Sequence, residues 1–143
     1  MISSSPYLFV YSSLRRGFRQ SAYNYLIRYF NFVSDAKVRG VLSDFGDKPV
    51  GTPTEDDFFL IGELYQLNIE NGSYVFGQLD DYEGLFPEDG QPPLYRREIT
   101  TVYAEGGGTY EAWIYWYNGD VKGRPIIASG DVFEYVRSKM GRS

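Results

Sequence analysis

Arg96-Arg97-Glu98-Ile99-Thr100-Thr101-Val102-Tyr103-Ala104 and Thr109-Tyr110-Glu111-Ala112-Trp113-Ile114-Tyr115-Trp116-Tyr117 stand on either side of Glu105-Gly106-Gly107-Gly108. Both flanks are rich in β-branched and aromatic residues, so each reads as a strand and the glycines between them as the turn of a hairpin. A phosphate-cradling glycine loop would need a helix after it, and here a second strand follows. Along that second strand Trp113, Tyr115 and Tyr117 share one face while Tyr110, Ala112, Ile114 and Trp116 share the other. Most of these read as core packing, with Tyr115 or Tyr117 within reach of a pocket.

Working outward from the hairpin, Tyr7 to Tyr11 is a continuous apolar run that predicts a buried strand, broken by Ser12-Ser13. Tyr23, Leu26, Ile27 and Phe30 recur at helical spacing and predict a first helix from Gln20 to Phe30. Val38 to Leu42 and Phe59 to Leu67 read as strands, each with one glycine, and the polar stretch Asp44 to Asp57 between them reads as a loop. Ser73 to Glu83 predicts a short second helix stopped by Gly84, followed by a proline-rich loop from Leu85 to Pro93. Val132, Phe133, Val136 and Met140 mark a last helix from about Asp131 onward. Strands and helices do not alternate regularly in this order. A single α+β domain over residues 1–143, with a small mixed β-barrel flanked by helices, fits best.

Composition narrows the chemistry. With 143 residues the chain can bury a sizeable core without a disulfide or a metal. It contains neither cysteine nor histidine, so thiolate nucleophiles, cysteine zinc sites and the commonest proton shuttle are all excluded. Acid/base work must fall to Asp, Glu, Tyr or Lys. A formal net charge of −5 argues against nucleic-acid or anionic-membrane partners, and ranks binding of oligonucleotides through Arg15, Arg16 and Arg19 last. The start of the chain lacks a basic segment and an apolar run long enough for a signal or a span, so a cytoplasmic location is the default expectation.

Two segments stand out as sites. In the second helix Phe76, Leu79 and Glu83 are spaced at i, i+3 and i+7, which puts Glu83 on the stripe facing the core, with Asp80 and Asp81 read as lying off it. Burial and the negative end of the helix dipole would both favour a protonated Glu83 and bring the group nearer neutrality, as proton transfer requires. Glu83 can equally turn outward from the last turn into solvent. Asp80, Asp81 and Glu83 together could hold a divalent metal, although three acids on one turn more often form a solvated face, and no metal is expected. The second segment is Tyr11-Ser12-Ser13-Leu14-Arg15-Arg16-Gly17, a turn between strand and helix whose amides could converge on an anion; a plain connecting loop is the simpler reading of it.

Taken together, Tyr11-Ser12-Ser13-Leu14, Gly40-Val41-Leu42, Gly62-Glu63-Leu64-Tyr65, Leu79-Asp80-Asp81-Tyr82-Glu83-Gly84, Tyr95-Arg96-Arg97, Ala112-Trp113-Ile114-Tyr115 and Ser129-Gly130-Asp131 resemble, in order, the gamma-glutamylcyclotransferase-like family. The resemblance implies that Glu83 is the general acid/base. It implies that Tyr11, Ser12, Ser13 and Leu14 bind a small gamma-glutamyl substrate, to which Tyr115 is added. The implied reaction cyclises a gamma-glutamyl amine or gamma-glutamyl amino acid to 5-oxoproline and releases the amine, without a cofactor. Ser12 stands where the family usually has glycine. A catalytically silent small-molecule binding module on the same fold is the alternative reading, to which the fourteen tyrosines also lend themselves.

Overall fold

A computed structural model describes residues 5–11, 21–46, 48–68, 72–82 and 93–140. Strand β1 (Tyr7–Val10) buries Leu8, Phe9 and Val10 alike, as a continuous apolar run demands. Helix α1 (Ser21–Tyr29) passes directly into β2 (Phe30–Asp44), which is followed by β3 (Pro49–Pro53) and β4 (Phe59–Leu67). Helix α2 (Gly72–Tyr82), the hairpin of β5 (Tyr95–Ala104) and β6 (Thr109–Tyr117), and helix α3 (Val132–Met140) complete the order.

The strands run β2-β4-β1-β6-β5 and close through β5 back onto β2, with β3 added to the side of β2. The β1–β6 pair is parallel and the other pairs are antiparallel. The result is the predicted α+β fold, a closed five-stranded mixed barrel with helices outside it. The glycine turn behaves as expected: Ala104 N–H donates to Gly108 O at 3.1 Å, and Gly107 and Gly108 take φ of 100° and 85°. Among the described residues no helix is long and apolar enough to cross a membrane.

Three expectations are corrected. The strand read at Val38 to Leu42 is the middle of a 15-residue strand that begins at Phe30, the residue assigned to the end of the first helix. Of the helix positions expected to be buried, Leu26 is, whereas Ile27 is 46% exposed. The stretch Asp44 to Asp57, read as loop, contains β3. Its prolines, Pro49 and Pro53, sit at the two ends of a short strand that pairs only with β2 in the sheet, a position where a missing N–H costs little.

Because side chains alternate across a strand, each strand feeds two layers. Phe9, Val38, Leu60, Leu64, Val102, Ile114 and Trp116 fill the barrel. Their neighbours Leu8, Val10, Tyr65 and Tyr115 face outward and pack with Leu26 of α1 and with Val75, Phe76 and Leu79 of α2. The barrel is tight enough that Gly62 touches β1: a Cβ there would lie 2.1 Å from the Val10 carbonyl oxygen. Helix α3 is fixed by Gly130, whose φ is 64° and whose carbonyl accepts the Ile61 N–H at 2.9 Å. Asp131 then caps it by accepting the Phe133 N–H at 2.9 Å.

Candidate active site

Glu83, Ser12, Ser13 and Leu14 lie outside the described residues, as do Arg15 and Arg16. The two remaining predicted site residues, Tyr11 and Tyr115, are described, and the fold brings them together. Leu8 of β1 is in parallel register with Trp113 of β6, so the end of β1 arrives beside Tyr115. The Tyr11 hydroxyl donates to the Tyr115 carbonyl oxygen at 2.6 Å, and its ring lies so close to Gly51 that a Cβ there would be 2.7 Å from it. Both tyrosines are buried.

Tyr115 also reaches the other predicted segment. Its hydroxyl donates to Asp80 Oδ1 at 2.7 Å. Arg97 of β5 closes a fork on the same carboxylate, Nε to Oδ1 at 2.7 Å and Nη2 to Oδ2 at 3.0 Å. The guanidinium lies over two rings, 4.3 Å from the Trp113 centroid and 4.7 Å from that of Phe76. Asp80 is thus held by three directional bonds in a dry layer, the geometry in which an ion pair can offset its own desolvation.

This corrects the reading of Asp80 as off the buried stripe. It stands four residues after Phe76 and is 5% exposed. Its counter-charge is Arg97. Phe76 and Leu79 are buried as predicted.

A second carboxylate, not expected from the sequence, is also buried. Glu63 of β4 is 1% exposed and accepts the Tyr65 hydroxyl at 2.9 Å. It is paired in register with Val10, and the β1–β6 register carries the same row on to Tyr115. Glu63, Val10 and Tyr115 therefore line up across three adjacent strands, on the face the helices cover and at the end of β1. The hint in the sequence was Glu63 next to Gly62 in an otherwise apolar strand. The site as described is a polar seam beneath α2: two carboxylates, the hydroxyls of Tyr65 and Tyr115, and one stacked guanidinium.

The family described as gamma-glutamyl cyclotransferase, AIG2-like, matches residues 8–134, nearly the whole chain. The chain belongs to that family. A Methanocaldococcus jannaschii protein, whose name proposes it as a gamma-glutamylcyclotransferase, is 25% identical over 130 residues, covering 90% of this chain and 97% of that protein. Among solved structures, YkqA from Bacillus subtilis superposes with a TM-score of 0.69 at 24% identity, over 97% of this chain and 44% of YkqA. This cyclotransferase-family chain thus spans less than half of YkqA. An AIG2-like protein from Mus musculus superposes with a TM-score of 0.61 at 19% identity, over 87% of this chain and 86% of the mouse chain. These structural likenesses carry the fold. The polar seam lies where β1 and α2 end; in the sequence Ser12 follows Tyr11, just after β1, and Glu83 follows Tyr82, the last residue of α2.

Proposed function

We propose that this protein is a gamma-glutamylcyclotransferase that converts a gamma-glutamyl amine or gamma-glutamyl amino acid to 5-oxoproline and a free amine. The observation that carries the reading is the double attachment of Tyr115. Its carbonyl is bonded to Tyr11, the residue before Ser12, and its hydroxyl to Asp80, three residues before Glu83. Family membership supplies the reaction class.

The chemistry suits a chain without histidine or cysteine. The substrate's own α-amine attacks its γ-carbonyl carbon, so the nucleophile is internal and orientation supplies much of the rate. Glu83 takes a proton from the substrate ammonium, freeing the lone pair that forms the new C–N bond. It returns that proton to the departing nitrogen as the original C–N bond breaks, and the ring nitrogen passes its surplus proton to the released amine, leaving a lactam N–H and an ammonium. The ring that closes has five members, and no group on the enzyme becomes acylated. The Ser12 to Leu14 amides hold the substrate carboxylate or the oxyanion that develops on the attacked carbonyl. No cofactor takes part.

The test is release of 5-oxoproline from a panel of gamma-glutamyl amines and gamma-glutamyl amino acids by wild type and Glu83→Gln. The expected result is turnover of at least one compound by wild type and a loss of about a hundredfold or more in kcat with the substitution. Equal rates for the two proteins would remove Glu83 from the mechanism. Saturable binding of the panel with no turnover would instead support the silent binding module, a reading that Ser12 in the usual glycine position favours.

A further inference from the structure

We propose that Asp80 and Arg97 are positioning residues of the cyclotransferase, and that Tyr115 couples them to the end of β1, so that both halves of the site are indexed to one strand residue. The inference rests on the cyclotransferase reading above and adds to it residues that touch neither substrate nor reacting atoms.

An aspartate is electrostatically out of place where Asp80 stands. It lies in the last turn of α2, close to the negative end of the dipole, and the helix has no basic residue of its own in that turn. It is also withdrawn from water. Arg97 answers both difficulties from outside the helix, bringing a cation from β5, 17 residues further along the chain. A leucine at this position would avoid both costs and would pack with Phe76 and Leu79. What an apolar side chain would not provide is direction.

Direction matters because α2 is a short helix, Gly72–Tyr82, and its described attachment to the barrel is otherwise apolar. Apolar contacts between a helix and a sheet resist separation more than they resist sliding, since burial depends on area and not on angle. The two-pronged Arg97–Asp80 contact fixes both the distance and the plane of the carboxylate. The Tyr115 hydroxyl adds a third bond from a different strand. Phe76 and Trp113, which also pack on each other, both lie against the guanidinium, so Arg97 is itself restrained. Glu83 directly follows Tyr82, the last residue of α2, so the setting of this turn passes to Glu83 through three residues of chain.

The Tyr11 hydroxyl on the Tyr115 carbonyl completes the device. The end of β1 and the last turn of α2 hang from the same residue. A displacement of about 1 Å between catalytic group and substrate can cost on the order of a hundredfold in rate, which is the scale at which such a reference point counts.

The experiment measures kcat and KM for 5-oxoproline release, with thermal unfolding recorded for every variant and assays run well below each midpoint. Asp80→Asn and Arg97→Lys are each expected to lower kcat roughly tenfold to a hundredfold with KM changed less than about threefold. The double variant should be little worse than either single one, since a fork broken at one end is already broken. Asp80→Glu, which keeps the charge and can re-form the pair, should recover part of the loss. Tyr115→Phe should cost about threefold to tenfold while leaving the ion pair intact, and it carries the test should the other variants not fold.

A purely structural role predicts lowered unfolding temperatures with wild-type kcat in the folded protein, and that result would overturn the proposal. Losses that multiply in the double variant would overturn it too. If wild type forms no 5-oxoproline, or Glu83→Gln retains full activity, the cyclotransferase reading fails and this inference falls with it; if those controls hold while the Asp80 and Arg97 variants turn over normally, the positioning role alone fails.

Discussion

The two buried layers of this molecule are built from the same strands and differ in kind. Inside the barrel, Phe9, Leu60, Leu64, Val102, Ile114 and Trp116 meet, and the hydroxyl of Tyr11 satisfies itself on a backbone carbonyl. Between barrel and helices, the alternate residues of those strands enclose Glu63, Asp80, Arg97 and the hydroxyls of Tyr65 and Tyr115. The interior holds the sheet in shape through close approach of side chains and backbone. The outer layer spends burial on directional polar contacts, which define where a helix stops. An ordinary core favours the first arrangement. The second is found where elements must be placed to within an ångström.

A graded set of substitutions would break or sharpen that contrast. The largest effect is expected within the barrel wall. Gly62→Val would drive a side chain into the Val10 carbonyl, which stands 2.1 Å from the Cβ position, so β1 and β4 must part. Loss of about 4 kcal/mol or more is expected, read as failure to give a cooperative unfolding transition in circular dichroism. Next is the outer layer. Asp80→Ala leaves the half-buried Arg97 guanidinium against two rings without its anion, and about 2 kcal/mol should be lost in chemical denaturation. Ile114→Ala, a plain cavity within the barrel, should cost about as much. The two layers then separate on repair: Asp80→Leu combined with Arg97→Met should regain most of the stability lost by Asp80→Ala, because an apolar pair can replace a buried ion pair. It should not regain the turnover.

The smallest effect is at the rim of the outer layer. Among the described residues the Tyr25 hydroxyl is buried without a hydrogen-bond partner. Burial raises its pKa above the ordinary tyrosine value, with Tyr29 and Tyr74 adding to the rise and Arg28 opposing it. In the alkaline window that opens at about pH 10, the unfolded chain gives up this proton while the folded protein keeps it, so stability falls as pH rises. Tyr25→Phe should change stability by less than about 0.5 kcal/mol at neutral pH, or improve it, since no described bond is lost. It should also flatten the alkaline decline, as followed by unfolding midpoints from pH 8 upward.

The sequence disclosed whatever was decided locally. The Phe59 to Leu67 strand and the Thr109 to Tyr117 strand emerge with the predicted bounds because β-branched and aromatic residues run between clear breakers. The turn at Gly106 to Gly108 was legible because its glycines have no other use there. β3 was hidden by its prolines, which are tolerated only because the strand lies at an edge. The junction of α1 with β2 was hidden because Phe30 suits either element and no breaker separates them. At the candidate site, Asp80 was misjudged for a different reason. Its partners come from 17 and 35 residues away, on strands whose pairing only the closed barrel establishes, and without them an acid in a helix belongs in water. Glu63 is the same case on a strand: its placement follows from registry with Val10, which no local pattern displays.

One feature of the topology reaches beyond the finished structure. β1 is wedged between β4 and β6, and among the described residues its pairing with β6 is the one parallel junction of the barrel. On a ribosome β1 can meet β4 once residues 63–66 are out, but its other edge must wait for β6, whose Trp113 pairs with Leu8 more than a hundred positions later. Partners so far apart in the chain make closure slow, and leave the nascent protein dependent on whatever shields an apolar strand in the meantime.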